Sequence, residues 1–501
     1  MKKSKSSKPK QQFWGGRLSE APELANVAYC AGRDVAARPM ADAALVPFDI
    51  WQNRAHTAML AKQGIITRAA AGRILRGLAE FERQFASGKL KLNPRKEDSH
   101  TNIEHFVAAL VGPDASGTMH TGRSRNDQTT TVVRLCVRQL LLDFAQSLVG
   151  LIAAIQAAAA KHADVPVAGF THYQPGSITT IGHWFAAHSQ ALLRDASRLV
   201  ESYDRLNISP LGAAASFGTS WPIDRSLTAK YLGFASVQAN TLDCVTNRWE
   251  MEADAAGAVA FAMAHLSIIA QDIIILGMPQ IGILRVADRY VTGSSIMPQK
   301  RNPDFAEVTR AKSALISQLR ESLFGIAKGA LSGYNRDTQW TKYLVLDIFA
   351  EAQDAPAVFT GVYKTLTVSR ARAEASCRRD FVDAVDAADT LAREAKVSFR
   401  QAYEVISEAV RLSEAKGHLD LEVVRTLARK AGMKNALLKI GTPSQIANAK
   451  THEGGPAKSA VLANLKQQKS ELKKFESALT QRAKSLDKAR GLLAEAIRKI
   501  S

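Results

Sequence analysis

Cysteine is scarce in this chain of 501 residues, which contains only four cysteines. They are far apart in the sequence, and no two of them form a CxxC pair: Cys30, Cys136, Cys244 and Cys377. Secreted proteins with a disulfide framework use cysteine more densely, and zinc sites use closely spaced pairs. The sequence therefore predicts buried thiols in a reducing compartment and excludes the disulfide-rich class.

The chain also lacks the pattern of a signal peptide or of a membrane span. Five lysines lie in the first ten residues, but the apolar run of a secretory signal does not follow them. Two apolar stretches, 140–160 and 261–284, contain Asp143 and Asp272 respectively, and charged groups are costly in lipid. We expect core helices, a cytoplasmic protein and no membrane partner.

Acidic residues are fewer than basic ones, 47 against 66, which gives a net charge of +19. Part of the excess lies in the tails, since residues 466–499 carry ten Lys/Arg and four Asp/Glu. The positive charge either serves to attract an anionic ligand or reflects only an uneven distribution of charge over the surface. No zinc pattern, RNA-binding signature or interleaving of aromatic and basic residues accompanies it, so we expect no specific nucleic-acid partner.

Strand-like alternation is rare, whereas apolar residues recur every three or four positions. This spacing predicts four long helices, over 124–163, 176–206, 247–278 and 303–330. Each exceeds the usual helix of about 11–12 residues. Long helices with broad apolar faces are typical of a bundle, and some of these faces are expected to be covered by other subunits. The predicted fold class is all-α.

Glycine and proline at the joins divide the chain into four predicted parts. These are a mixed, mostly helical N-terminal domain with a basic tail (1–123), a central helical bundle (124–372), a small C-terminal helical domain (373–463) and a basic C-terminal helix (464–501).

The last of these parts has a leucine or isoleucine at every seventh position from Leu465 to Ile500. A coiled coil also needs a second apolar position in each heptad, and here that position includes Gln468 and Arg482. The pattern favours an amphipathic helix that lies on the protein or on a neighbour over a coiled coil.

Three segments rich in polar donors lie at the ends of the predicted helices: Asp98–Gln128, Gly169–Pro175 and Gly293–Glu307. One such segment is usually a cap or a turn, but three in one chain are harder to explain in that way. Metal-ligand spacing is absent from them. His100 and His105, like His183 and His188, are five apart and do not share a helix face, so we predict no metal site.

Residues 293–304 read Gly-Ser-Ser-Ile-Met-Pro-Gln-Lys-Arg-Asn-Pro-Asp. This run places two hydroxyls (Ser294, Ser295), one cation (Lys300) and one amide donor (Asn302) in a single loop. Such a loop suits a reaction in which one hydroxyl takes a proton while carbanion charge develops next to a carboxylate. An ordinary turn and a solvated lysine are the alternative explanations.

The Gly293–Pro303 loop resembles the signature of the fumarase/aspartase superfamily, and His120–Gln128 resembles its argininosuccinate lyase branch. Shorter matches are Thr171-His172, Pro210–Gly212, Gly218-Thr219, Pro222–Arg225, Asn240–Asp243 and Tyr334–Gln339. The resemblance implies a homotetramer built on a central helical bundle, with each active site assembled from three subunits. It also implies reversible elimination of fumarate from a small-molecule substrate, an N-substituted aspartate, without metal or cofactor.

The resemblance also implies a role for each matching residue. Ser294 would remove the Cβ proton, and Lys300 and Asn302 would stabilise the aci-carboxylate. His172 would protonate the departing nitrogen or help to bind substrate, with Glu307 orienting its ring. The substrate carboxylates would be held by Ser124, Arg125, Asn126, Thr171 and Ser295, and the leaving amine would be contacted by Tyr334, Gln339 and Lys342.

Three of these residues also have ordinary explanations. His172 would suit a core histidine, Arg125 would brace a helix start through Asp127, and Glu307 would pair with Arg310 at i,i+3 spacing.

The sequence departs from the branch pattern at several places. Residues 20–42 do not align cleanly where the family has a serine that contacts substrate, and Arg38 or Pro39 lies near that place. Acidic residues are usual at the positions of Trp249, Trp340 and Thr341. The usual C-terminal loop is replaced by Asn448–Pro456.

Three hypotheses follow from the resemblance and the departures. The first is cleavage of argininosuccinate to arginine and fumarate. The second is a related C–N lyase of the ethylenediamine-disuccinate lyase type, acting on another N-substituted aspartate. The third is a non-enzymatic structural relative, as lens crystallins of this family are, and the intact Ser294, Lys300 and His172 argue against it.

Overall fold

The computed structural model describes residue 20 and residues 23–31, 40–433 and 440–500. These residues are mainly helical. The α-helices are α1 (Leu24–Ala31), α2 (Ala41–Lys62), α3 (Arg68–Ala86), α4 (Ser99–Val111), α5 (Pro113–Ser116), α6 (Arg125–Lys161), α7 (Ile181–Leu206), α8 (Arg225–Tyr231), α9 (Thr241–Thr246), α10 (Arg248–Gly277), α11 (Asp304–Ala327), α12 (Thr341–Ala352), α13 (Ala355–Thr365), α14 (Arg370–Ser376), α15 (Ala384–Ala395), α16 (Phe399–Ser413), α17 (Leu421–Lys430), α18 (Pro443–Ala449) and α19 (Lys458–Arg498). The strands are β1 (Pro166–Thr171), β2 (Gln174–Thr180), β3 (Ile208–Ser209), β4 (Ser236–Val237), β5 (Leu284–Arg285) and β6 (Thr367–Val368), which form three two-stranded sheets.

Four long helices, α6, α7, α10 and α11, form the centre of the molecule, and each packs against the next in an antiparallel direction. At the end where α6 starts, Arg205 of α7 pairs with Asp254 of α10. Near the opposite end, His188 of α7 bonds Asp272 of α10. We call the end where α6 starts the lower end and the end where α6 finishes the upper end. At about 1.5 Å per residue, the two ends of α6 are about 55 Å apart.

Three of the four predicted long helices are confirmed as α6, α10 and α11. The prediction of a helix over 176–206 is wrong at its start, because Gln174–Thr180 form strand β2 and the helix begins at Ile181. The hydroxyl of Thr180 caps this helix by accepting a bond from the backbone N–H of His183. β-Branched residues favour a strand, and Ile178, Thr179 and Thr180 occupy the end of β2.

Helix α10 leaves much of its apolar surface uncovered in the single chain. Only 44% of the most apolar 18-residue stretch of this helix is buried, and the side chains of Phe261 and Ile268 are exposed. By length and composition α6 and α10 also satisfy the criteria for a membrane span, but core helices of soluble proteins do so too. Isolated exposed apolar residues are common, whereas a continuous apolar face marks an interaction surface.

The C-terminal helix α19 packs on α6 and α7. Its leucines at every seventh position are buried at exposures of 5% or less: Leu465, Leu472, Leu479, Leu486 and Leu493. The prediction of an amphipathic helix lying on the protein is confirmed. Helix α19 begins at Lys458, six residues before the predicted C-terminal helix of 464–501.

Helices α15, α16 and α17 have an apolar core of their own, separate from that of the bundle. The predicted domain boundaries remain predictions. Cys136, Cys244 and Cys377 are buried free thiols, as expected, and the side chain of Cys30 lies outside the described residues.

Candidate active site

The Gly293–Asn302 loop lies at the upper end, between β5 and the start of α11, and is fixed at its base. The backbone N–H of Thr292 donates to the carbonyl of Asn302 (3.0 Å), and the N–H of Asn302 donates to the carbonyl of Thr292 (2.8 Å). The Asn302 side-chain amide donates to the carbonyl of Gly293 (3.2 Å). Between these anchors Ser295 and Lys300 are exposed, so the loop presents a hydroxyl and an ammonium to solvent.

The hydroxyl oxygen of Ser294 accepts hydrogen bonds from two backbone N–H groups, those of Ile296 (3.3 Å) and Met297 (3.1 Å). Hydrogen bonds to the charged form of a group favour that form. An ordinary serine is a weak base, and two amide donors on its oxygen stabilise the alkoxide that proton abstraction requires.

Glu307 is exposed on the first turn of α11. No ion pair with Arg310 forms among the described residues, so the ordinary explanation by i,i+3 pairing does not hold. Arg301, inside the loop, is anchored instead, because its guanidinium pairs with Asp288 and donates to the carbonyl of Val286 (2.7 Å).

His172 lies at the tip of the hairpin formed by β1 and β2, also at the upper end. His172 and Tyr173 form its two-residue turn, with φ of +53° and +60°. Positive φ at both turn residues matches the right-handed twist of the flanking strands. Thr171 and His172 are exposed, so His172 is not a core histidine in the single chain.

Ser124, Arg125 and Asn126 lie at the lower end, where α6 begins. The Ser124 hydroxyl accepts from the Asn126 N–H (3.3 Å), and the Asp127 carboxylate accepts from the Ser124 N–H (3.0 Å). The other Asp127 oxygen accepts from the N–H groups of Gly212 and Ala214, both at 2.9 Å. Burial raises the pKa of Asp127 to about 6, although these donors oppose the shift.

Arg125 does not brace the helix through Asp127, since it pairs with Asp98 (3.2 Å) and Glu104 (3.9 Å). The Asn126 amide donates to the carbonyl of Ala215 (3.4 Å). Loop and helix segments that are distant in the sequence therefore converge at the start of α6.

Residues 331–342 also lie at the lower end, where Arg336 pairs with Glu97 (2.6 Å). Tyr334 is exposed and Gln339 is partly buried. The Lys342 ammonium is buried and donates to Asp42 (2.6 Å), so in this chain it neutralises a carboxylate rather than facing solvent.

Trp340, Thr341 and Trp249, which stand where the branch usually has acidic residues, differ from one another in exposure and contacts. Trp340 is 61% exposed and packs edge-on against Tyr343. Thr341 is fully buried and its hydroxyl donates to the carbonyl of Thr338 (2.8 Å). Trp249 packs against Phe324 between α10 and α11.

The predicted site residues therefore form two groups. The upper-end group consists of Thr171, His172, Ser294, Ser295, Lys300, Asn302 and Glu307. The lower-end group consists of Ser124, Arg125, Asn126, Tyr334, Gln339 and Lys342. Helix α11 runs from the upper-end group to the lower-end group, and its 24 residues span about 36 Å, so one chain does not bring all of these residues together.

Sequence reasoning missed the buried acids that support the lower-end group. Asp49 accepts from His100 (2.6 Å), Ser99 (2.9 Å) and Gln128 (3.1 Å). Burial alone would raise the pKa of Asp49, but His100 and Arg123 hold it below its usual value. Isolated aspartates such as Asp42 and Asp49 carry no motif, so only the fold reveals them.

Two further predictions concern this site. No group of three or more His, Cys, Asp or Glu side chains able to hold a metal ion occurs in the described part of the chain. Arg38 and Pro39, near the place of the missing serine, lie outside the described residues.

Comparison with known proteins identifies the relatives of this chain. The family described as Lyase matches residues 37–317, and the family described as Argininosuccinate lyase C-terminal matches residues 381–445. The argininosuccinate lyase of Halorhodospira halophila (strain DSM 244 / SL1) is 37% identical over 459 residues, which cover 91% of this chain and 96% of that protein.

Two solved structures illustrate the range of the likeness. EDDS lyase in complex with formate superposes with a TM-score of 0.85 at 27% identity, covering 97% of each chain. The class II fumarase of Schistosoma mansoni has a TM-score of 0.67 at 14% identity, covering 83% of this chain and 93% of that one, and shows the fold alone. The sequence match and the signature loop together establish that this chain belongs to the argininosuccinate lyase branch of the fumarase/aspartase superfamily and is a carbon–nitrogen lyase.

Proposed function

We propose that the protein cleaves argininosuccinate to arginine and fumarate, the last step of arginine formation, in the cytoplasm. The observation that carries the choice of substrate is the 37% identity to an argininosuccinate lyase over 91% of the chain. The partly buried Ser294 and the exposed Lys300 of the same loop support the elimination chemistry common to the branch. Incubation of the purified protein with argininosuccinate should release fumarate, measured by its ultraviolet absorbance.

In the proposed mechanism the Ser294 oxygen takes the Cβ proton of the succinyl group. The electron pair moves into the adjacent carboxylate, whose aci form Lys300 and Asn302 stabilise through charge and hydrogen bonds. The C–N bond then breaks, and His172 protonates the departing nitrogen. Ser124, Asn126 and Thr171 would hold the carboxylates in the geometry that this elimination needs. None of these steps calls for a metal, so a chelator should leave the rate unchanged.

We also propose that the protein is a homotetramer whose active sites combine residues of several subunits. The separation of the upper-end and lower-end groups supports this, since the base lies in the upper-end group, whereas the residues assigned to the leaving amine and three of those assigned to the carboxylates lie in the lower-end group. The uncovered apolar face of α10 supports it as well, with a cleft of about 780 Å³ next to Trp249, Phe261 and Phe324. Light scattering of the purified protein should give four times the chain mass of 54.3 kDa.

Hybrid complementation tests the sharing of the site directly. Ser294→Ala alters the upper-end group and Asn126→Ala alters the lower-end group, and each variant alone should be nearly inactive. Tetramers assembled from a denatured and refolded mixture should regain part of the activity, because some sites then combine unaltered residues from different chains. Refolding each variant separately is the control, and mixtures that stay inactive would argue for a site within one chain.

A second candidate substrate is a different N-substituted aspartate, as the likeness to EDDS lyase suggests. The specific observation in its favour is the exposed Trp340 and the buried Thr341 where an acidic pair is usual, since a guanidinium leaving group prefers carboxylate partners. A panel of N-substituted aspartates with fumarate as the readout separates the two candidates. Fumarate from another member of the panel and none from argininosuccinate would select this second substrate class.

A further inference from the structure

The hairpin that carries His172 is packed against the small C-terminal part of the chain. Two hairpin side chains, Ala168 and Ile178, share one buried apolar cluster with side chains that follow the bundle helices: Cys377, Val382, Ile446 and Ala447. The hydroxyl of Ser376 accepts a bond from the backbone N–H of Ala168 (3.0 Å). The position of the hairpin therefore depends on residues beyond 370.

Lys450 is the polar centre of this contact. Its ammonium donates to the Ser177 hydroxyl (3.0 Å) and to the Ile178 carbonyl (2.9 Å), and it pairs with the Asp386 carboxylate (3.0 Å). Both partners of the ion pair are largely buried, with exposures of 24% for Lys450 and 13% for Asp386. One side chain thus ties strand β2 to helix α15.

Lys450 belongs to the Asn448–Pro456 segment, which departs from the pattern of the branch. The rest of this segment also contacts the base of the hairpin and the start of α7. His183 bonds the carbonyl of Gly454 (3.0 Å), and the Thr180 hydroxyl donates to the carbonyl of Pro456 (3.3 Å). The segment that departs from the family pattern is therefore the one that supports the hairpin of His172.

The hairpin needs such support because its own strand pairing is interrupted. The register shifts between Ala168 and Phe170, and Ser177 lies opposite this irregularity. His172 and Tyr173 both occupy positive φ, which costs free energy for residues other than glycine. Because the turn is strained and lies beyond the register shift between β1 and β2, it keeps a single orientation only if neighbouring residues contact the hairpin.

We propose that Lys450 is a positioning residue that holds the His172 turn in its catalytic orientation through Ser177 and Ile178, with Asp386 fixing the ammonium. This inference rests on the proposed role of His172 as the group that protonates the departing nitrogen. Lys450 itself does not touch the substrate. Its effect is transmitted along β2 from Ser177 to the turn.

Lys450→Met tests the proposal, because methionine keeps most of the length and removes the charge and its donors. A misplacement of about 1 Å in a reacting group lowers turnover by up to about 100-fold, so kcat should fall roughly 10- to 100-fold. KM should change less than kcat, because Thr171 is the one carboxylate-binding residue assigned to this hairpin and the lower-end group is untouched. Lys450→Arg retains the charge and donors and should recover part of kcat.

The matched control is Lys416→Met in the same small domain. Lys416 pairs with Asp420 but does not contact the hairpin, so kcat should not change. Asp386 is left without its cation in Lys450→Met, and the double variant Lys450→Met/Asp386→Asn removes that buried charge if the single variant folds poorly. The double variant should keep the low kcat while it regains the thermal midpoint of the parent.

A double-mutant cycle with His172→Asn separates positioning from general weakening of the structure. If Lys450 acts through His172, adding Lys450→Met to His172→Asn should lower kcat no further. Multiplicative losses in the cycle, or an unchanged kcat in Lys450→Met, would overturn the proposal. If His172→Asn alone leaves kcat unchanged, the proposed role of His172 fails first, and that result is distinct from a failure of Lys450.

Discussion

The loop that carries Ser294 and the start of α6 hold their functional residues in opposite ways. Between Gly293 and Asn302 the loop is fixed at its base, and Ser295 and Lys300 extend into solvent. At the start of α6 the fully buried Asp127 binds three backbone N–H groups from two segments of the chain.

This difference matches the division of labour in an elimination. Groups that bind carboxylates gain from being fixed before the substrate arrives, because no ordering cost is then paid on binding. A catalytic loop that is anchored only at its base is free to close over the substrate and exclude water. We therefore expect substitutions at the loop to change turnover and substitutions under α6 to change stability.

The largest expected effect is that of Ser294→Ala on turnover. Removal of the general base should lower kcat by roughly 10³-fold. Because the side chain is small and bonds only within its own loop, the free energy of unfolding should change by less than about 0.5 kcal/mol. Fumarate release and thermal unfolding of the same preparation check both parts, and retained turnover would reject Ser294 as the base.

Asp127→Ala should have the opposite profile. Three buried N–H groups lose their acceptor, so the protein should be destabilised by about 3 kcal/mol. Activity per folded molecule should fall much less than in Ser294→Ala. Thermal unfolding at fixed protein concentration measures the change, with the exposed Asp337→Ala as the control at the same end of the molecule. An unchanged thermal midpoint in Asp127→Ala would contradict the view that the start of α6 is a fixed platform.

The sequence was sufficient to predict the bundle and to locate three of its four central helices. Apolar spacing over 37 residues of α6 leaves no doubt about a helix, because so long a pattern averages out local exceptions. The predicted start of the second helix was wrong because Gln174–Thr180 form a strand. That strand depends on pairing with Pro166–Thr171, which the spacing of apolar residues within 176–206 does not reveal. Helix α19 begins six residues before the predicted 464, because glycine and proline mark the loop before the helix but not its first turn.

The site was predictable where its chemistry lies in a contiguous motif, as in the loop around Ser294. It was not predictable where function depends on residues that meet only in the fold. Lys342 has the right type and position for a substrate contact, but its ammonium is neutralised by Asp42, 300 positions away. Lys450 carries no motif at all, and only its three contacts reveal its connection with the hairpin of His172.

His120 offers a pH test of the platform under α6. Burial, with the charges of Arg123 and Arg125, lowers the pKa of His120 to about 4 from the usual 6.5. A histidine with a lowered pKa in the folded protein stabilises it fully above pH 6.5, and this contribution is lost as the pH falls toward 4. Allowing for its partial exposure, we expect wild type to lose about 2 kcal/mol more than His120→Gln between these pH values. Thermal unfolding of both proteins across this pH range makes the comparison, and parallel curves would mean that His120 titrates normally.

The smallest expected effect concerns closure of the loop on its ligand. Lys300 is exposed, so trypsin should cleave the free protein after it, and bound fumarate should protect the bond by holding the ammonium against a carboxylate. At a fumarate concentration about ten times its Kd, the open form is about tenfold less populated, and cleavage should slow by a similar factor. Sodium chloride at the same ionic strength is the control, because it screens charges without bridging Lys300 and Asn302. Equal slowing by the chloride salt would show that ionic strength alone protects the bond. Protection by fumarate but not by chloride would show that the loop, unlike the start of α6, reaches its working arrangement only when the ligand binds.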